Sequence, residues 1–309
     1  MPRRIRECRL HDVERQPREA SQLGIEQSNA VVFLCGDKHN VVALGALYHL
    51  ENNEAKAFIG EQAFTSAILD VSSPERKKIY FLRGDSESRT DDPDPVRGLS
   101  TFAGELGLRN FDVESFSLDA ARSKVPEDAA LVIAVGPQKV SPYAEEQLRQ
   151  YLGPRAGHML LLLAPGAVPN IPTGLTDLLL DWGVLVDDDV IYDSNPNNRT
   201  EEGALLIGTF GVHPITQWLI DMNSVKLLVG RARSLHPLTT SGLIVKTLAA
   251  TSPTAWGEVS FTRTPKYDEG DIKGLPQMEP KNALGVIIAS EREQPRDHLP
   301  YTVPNGRLV

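Results

Sequence analysis

Four short, continuously apolar runs constrain this chain most: Ala30–Cys35 and residues 79–82, 131–135 and 159–163. Runs without polar alternation suit strands covered on both faces, as in a parallel sheet packed under helices. Segments with helical spacing lie between and after them. Phe64, Ala67, Ile68 and Val71 fall on one stripe, as do Leu99, Phe102, Ala103 and Leu106. Ala144, Leu148, Tyr151 and Leu152 make a third, and Leu175, Leu178, Leu179 and Trp182 a fourth. Ile215, Trp218, Leu219 and Met222 complete the series, each stripe able to lie on a sheet. Ser141 before Pro142 reads as a helix N-cap with proline at the first helical position, and His213-Pro214 as a second helix start. Strand alternating with helix through short loops predicts an α/β fold with a doubly wound, mostly parallel sheet.

The ends depart from that rhythm. Residues 1–57 read as a small, incomplete α/β unit: strands at 5–10, 30–35 and 41–47, with a short helix at 17–23. Residues 58–200 form the α/β core. Residues 201–309 read as a β-rich continuation, with strands expected at 204–209, 225–229, 258–262 and 284–289. The final Arg307-Leu308-Val309 reads as a strand just beginning, in a sequence expected to continue beyond it.

Composition removes several functional classes. With 32 Lys and Arg against 41 Asp and Glu, the net charge is −9. An acidic chain of this kind lacks the clustered cations that a phosphate backbone requires, so nucleic acid is not an expected partner. The basic group Arg3, Arg4, Arg6 and Arg9 is interrupted by Glu7 and reads as a solvated terminus. The longest apolar run, residues 159–164, is far short of the roughly 20 residues that span a bilayer. Two cysteines, Cys8 and Cys35, are too few for a disulfide scaffold or a cysteine zinc site.

The motifs point to binding rather than bond-breaking. Gly84-Asp85-Ser86-Glu87 follows the 79–82 run, and Gly136-Pro137-Gln138 follows the 131–135 run. Ligands of open α/β sheets bind beyond the carboxyl ends of strands, so these two tips form the candidate binding rim. A nucleophile elbow would need Ser or Cys at such a turn, whereas Pro137 and Gln138 cannot attack a carbonyl. Asp85 and Glu87 are the only carboxylates there that could serve a degenerate hydrolase. Cys35 reads as a small buried residue. No two of the seven histidines stand two to four residues apart, so no metal motif arises. Asp187-Asp188-Asp189 lacks the interleaved glycine and distal glutamate of a calcium loop and reads as a solvated turn. Asn198-Arg199-Thr200 is a glycosylation sequon. Neither dinucleotide nor nucleoside-triphosphate fingerprints occur, so the chain is not expected to be an ATPase, and no cofactor is expected.

Several segments, in order, resemble a known family. Asp12-Val13-Glu14-Arg15-Gln16-Pro17, Gly60-Glu61 with its helix, and residues 79–87 are similar to its opening and to its "K-I-Y-F-L-x-G-H-G-E" strand and loop. Val135-Gly136-Pro137-Gln138-Lys139, the 159–163 leucine strand and His213-Pro214-Ile215-Thr216 continue the match. The chain thereby resembles the auxiliary proteins of ABC-2-type transport systems, the GldG-like gliding-motility family, whose domain is related to intraflagellar transport proteins. The family's Gly-His-Gly-Glu stands here as Gly84-Asp85-Ser86-Glu87. The resemblance implies a class I glutamine-amidotransferase-like or flavodoxin-like sheet, with residues 1–57 as the remnant of a thioredoxin-like unit. It implies no catalytic residues and no cofactor. It also implies a location on the outer, periplasmic side of the cytoplasmic membrane. Partners would be ABC permease and ATPase subunits or other envelope proteins, a polysaccharide or transported substrate, or a second copy of the chain in a homo-oligomer.

Overall fold

The computed structural model describes residues 18, 21, 29–36, 38–51, 54–58, 60–72, 76–84, 88–95, 97–119, 123–137, 139–165, 173–260, 265–274, 276, 281–293 and 306–309. The strand expected at 5–10, nearly all of the helix expected at 17–23 and the motif at 12–17 lie outside them. So do residues 261–262 of the strand expected at 258–262. The chain divides into two compact units. One comprises residues 1–77 with 101–113, the other residues 78–100 with 114–309.

The first unit opens with β1 (Ala30–Cys35) and β2 (Lys38–Ala43), an antiparallel hairpin from Ala30 opposite Ala43 to Cys35 opposite Lys38. A short 3-10 turn at Leu44–Leu47 leads to a second antiparallel hairpin, β3 (Tyr48–Glu51) with β4 (Glu54–Phe58). Helix α1 (Gly60–Ser72) follows, carrying the expected stripe. Its Ala67 packs with Val42 and Leu47, and Phe33 and Phe64 meet at 5.6 Å between ring centroids. The β1 run therefore does not join the parallel sheet that its continuous apolarity predicts. In this hairpin, packed by one helix, Val31 and Leu34 on opposite faces of the strand are both left exposed. Cys35 is half-buried and free. Asp70 accepts from Asn40 Nδ2 at 2.8 Å and from Arg76, and these bonds hold its carboxyl below the usual range.

From residue 77 onward come β5 (Lys77–Arg83), α2 (Ser100–Leu108), β6 (Phe111–Ser117), β7 (Ala129–Val135), α3 (Pro142–Leu152) and β8 (His158–Leu162). Then follow α4 (Thr176–Asp181), β9 (Val184–Val186), β10 (Val190–Asp193), β11 (Leu205–Ile207), β12 (Thr209–Phe210) and α5 (Gln217–Met222). The remainder is all strand: β13 (Leu227–Val229), β14 (Leu235–Pro237), β15 (Leu243–Ala250), β16 (Ala255–Glu258), β17 (Gly285–Arg292) and β18 (Arg307–Leu308).

The main sheet has the order β12-β15-β17-β18-β8-β7-β5-β6, with β14 and β9 attached beside β17. Its centre is parallel: β5 with β7, β7 with β8, and β8 with β18. The other side is antiparallel, through β17, β15 and β12. The fold is thus mixed α/β with a mostly parallel central sheet and antiparallel parts. Separate antiparallel pairs join β10 to β16 and β11 to β13.

The apolar runs at β7 and β8 do what their composition dictates. Val132, Ile133, Ala134 and Met159 are buried, and α3 lays Ala144, Leu148, Tyr151 and Leu152 into the same cluster. Ser141 caps α3, its hydroxyl accepting from Ala144 N at 3.1 Å, with Pro142 at the first position. Helix α4 has no side-chain cap of its own, and Glu145 of α3 accepts from Leu178 N at 3.1 Å instead. The α5 stripe does not lie on a sheet as expected: Ile215, Trp218 and Met222 are 55%, 61% and 50% exposed. Apolar spacing fixes which residues share a helix face, not what that face meets. The helix begins at Gln217, after a turn in which His213 Nδ1 accepts from Ile215 N at 3.2 Å and the His213 carbonyl accepts from Gln217 N.

Strand β18 closes the gap between the two halves of the sheet. Leu308 stands opposite Met159 on one side and Ser290 on the other. Leu161 N donates to Val309 O at 2.7 Å, and Val309 N to Met159 O at 3.0 Å. At Gly306 a Cβ would meet the Leu152 carbonyl oxygen at 2.2 Å and the Trp182 ring at 2.9 Å, so only glycine lets the chain enter. Leu308 is 3% exposed within the main core. Leu308→Ala is expected to cost about 2–5 kcal/mol in urea unfolding, because the fixed strands on both sides limit collapse. A loss below half a kcal/mol would deny β18 this role.

Candidate functional site

The sequence-predicted rim lies beyond the carboxyl ends of β5 and β7. Of its residues, Gly84, Gly136 and Pro137 are described, whereas Asp85, Ser86, Glu87 and Gln138 lie outside the described residues. Gly84 and Pro137 line one cleft of about 190 Å3, together with Arg83, Asp119, Lys139 and Ser141. Its apolar floor includes Leu82, Leu118 and Ala134. Gly136 makes the turn out of β7 with φ +55, and its N–H donates to Leu162 O at 2.8 Å, tying the turn to β8. A Cβ there would touch nothing, so the requirement is purely conformational.

Two cations, Arg83 and Lys139, stand exposed at the mouth with the carboxylate of Asp119. Ser141 is the one hydroxyl-bearing residue among the described lining residues, and its oxygen is engaged in capping α3. The volume is below the roughly 300 Å3 of ordinary small-molecule pockets. The cleft suits one projecting side chain or a small polar group, held by charge at its mouth and apolar contact at its floor. Gly136→Ala should lower stability by about 1–2 kcal/mol through its left-handed backbone alone, read as a fall in melting temperature.

Sequence reasoning missed a second polar cluster. Asp187-Asp188-Asp189 is not a solvated turn: Asp189 is fully buried, and Asp187 and Asp188 are largely covered. The segment connects β9 to β10, and β14 brings its partners alongside. His236 Nε2 lies 2.5 Å from Asp187 Oδ2. Ser234 Oγ lies 2.7 Å from both Asp187 Oδ2 and Asp189 Oδ2, and Ser234 N donates to Asp189 Oδ1 at 2.8 Å. Arg233 donates to Asp187 O and Asp188 Oδ1. Burial pushes the Asp189 pKa up, which suits a hydroxyl that has one proton for two carboxyl groups. The hydrogen bond to Asp187 raises the His236 pKa. No local sequence signal joins residues 187–189 to 233–236, because the pairing crosses strands.

Folding raises the proton affinity of both His236 and Asp189. The contribution of His236 is therefore complete below its ordinary value of 6.5 and is lost as pH rises through its folded-state value, whereas that of Asp189 is complete only below the ordinary carboxyl value of 3.8 and is lost as pH rises through its own raised value. Urea unfolding followed upward in pH from about 6 should show falling stability, and His236→Gln should flatten the slope. An unchanged slope in the variant would remove His236 from the account.

Comparison with known proteins places the chain. No curated protein matches it significantly. Among solved structures it is similar to the mmIFT52 N-terminal domain, at 15% identity and a TM-score of 0.47, over 74% of this chain and 83% of that one. It is also similar to a putative ThuA-like protein from Bacteroides uniformis, at 12% identity and a TM-score of 0.36, over 65% and 77% of the two chains. The family described as "ABC-type uncharacterized transport system", the ABC transport auxiliary family, matches residues 76–289. That span runs from the start of β5 through most of β17 and takes in the cleft. Among the described residues no helix is long and apolar enough to cross a membrane. The match covers more than half of the chain, and the protein belongs to this family of auxiliary components of ABC-type transport systems.

Proposed function

We propose that the chain is a non-catalytic, extracytoplasmic binding domain of the GldG-like type, which docks a projecting segment of an envelope partner in the cleft beyond β5 and β7. The partner is the ABC permease, with the ATPase recruited through it. The proposal assigns docking to the 58–200 core, built as a doubly wound, amidotransferase-like sheet. Residues 1–57 are a separate small unit in this proposal, and residues 201–309 are the β-rich continuation. Family membership and the ordered motif resemblance support this reading.

One observation carries it: the cleft is small, carries charge at its mouth, and holds its one described hydroxyl in a helix cap. Such a site offers shape and ion pairing. A nucleophile would need an activating base within hydrogen-bond reach. Asp85, Ser86, Glu87 and Gln138 complete the rim in this proposal.

Affinity capture of the full-length protein from detergent-solubilised membranes tests it. Permease and ATPase subunits should be recovered, and Arg83→Glu combined with Lys139→Glu should cut recovery about tenfold, as expected when two charge-assisted contacts are reversed. Equal recovery by the folded double variant would remove the cleft from the interface. Recovery of no transporter subunit by the parent protein would overturn the partner assignment.

A further inference from the structure

A second, open cavity of the second unit lies against the β10–β16 pair, with residues distinct from those of the cleft and a volume of about 880 Å3. This falls within the roughly 300–1,000 Å3 that takes a ligand of drug size. Its wall is aromatic. Tyr192 and Trp256 stand opposite each other across the two strands, with ring centroids 6.0 Å apart, and Trp256 meets Tyr267 edge-on at 6.4 Å. Its polar equipment is cationic. Arg199 and, from the 265–274 segment, Lys266 and Lys273 line it, all exposed. None of the three makes an ion pair among the described residues, and Lys273 Nζ sits 4.2 Å from the Tyr267 centroid.

One carboxylate, Asp193, also lines the cavity, but its hydrogen-bonding capacity is already used. It accepts from Ser252 Oγ and Thr254 Oγ1, each at 2.6 Å, from Asn195 N at 2.9 Å and from Asn198 Nδ2 at 3.2 Å. Asp193 therefore fastens the 195–198 and 252–254 turns beside the opening and leaves the cations to meet a ligand. On a chain of net charge −9, a local excess of cations over an aromatic wall selects an anion that also has an apolar face. Phosphate groups are most often held by the first turn of a helix or by backbone nests. None of the described lining residues belongs to the first turn of an α-helix. Carboxylates spaced along rings, met singly by Arg and Lys, fit better.

We propose that this cavity binds an acidic saccharide, a uronic-acid-containing sugar of a few residues. The aromatic wall takes the apolar faces of its rings, and Arg199, Lys266 and Lys273 take its carboxylates. The inference stands apart from the cleft and needs no transporter to test.

Isothermal titration of the purified full chain with trigalacturonate is the direct test, with maltotriose and ATP as comparison ligands. Trigalacturonate should bind saturably and weaken as salt rises. Lys266→Glu combined with Lys273→Glu, and separately Tyr267→Ala, should each weaken binding about tenfold while the circular dichroism spectrum is unchanged. All three side chains are exposed, so the variants should fold. The assignment is overturned by absence of trigalacturonate binding, by equal binding of maltotriose, by tighter binding of ATP, or by folded variants that bind like the parent.

Discussion

The hydrogen bonds of a two-residue strand hold the main sheet together. Without Arg307 and Leu308, β17 and β8 have no common neighbour, and the sheet order breaks between its antiparallel and parallel halves. Each side of β18 solves a different geometric problem. Toward β17 it pairs antiparallel, toward β8 parallel, so one short segment converts one ladder into the other. Burial of Leu308 and the close passage at Gly306 fix the register from inside, because a one-residue slip would turn Leu308 away from the core.

The functional geometry is downstream of that arrangement. Parallel alignment of β5, β7 and β8 brings the carboxyl ends of β5 and β7 to one edge, and there the turns at Gly84 and Gly136 open the cleft. The same edge receives the capped start of α3, so Ser141 shapes the cleft while being chemically occupied. At the separate β10–β16 pair, the end of β10, the start of β16 and the neighbouring turns line the larger cavity. A single buried carboxylate, Asp193, fixes two of these turns. The buried Asp187–His236 pair, with Ser234 and Asp189, locks the β9–β10 connection to β14.

The parallel centre and its helices were legible because their cause is local. A run such as 131–135 has one stable use, and the stripe Ala144, Leu148, Tyr151, Leu152 has one face to bury. Ala30–Cys35 misled because a run of six apolar residues reads alike in a central strand and in a hairpin packed by one helix. The α5 stripe misled in the same way, since spacing does not reveal whether Trp218 meets a sheet or solvent. The cleft was legible in part, through Gly136 and Pro137 after a strand. The larger cavity was not, because Tyr192, Trp256 and Tyr267 come together only when β10 pairs with β16. Asp187–Asp189 looked like a solvated turn because its partners lie more than forty residues away.

Hydrogen–deuterium exchange on the protein, alone and mixed with the solubilised permease proposed as its partner, tests the central claim most directly. Docking in the cleft predicts slowed exchange confined to peptides covering residues 82–84 and 135–141. Slowed exchange elsewhere with these peptides unchanged would contradict it.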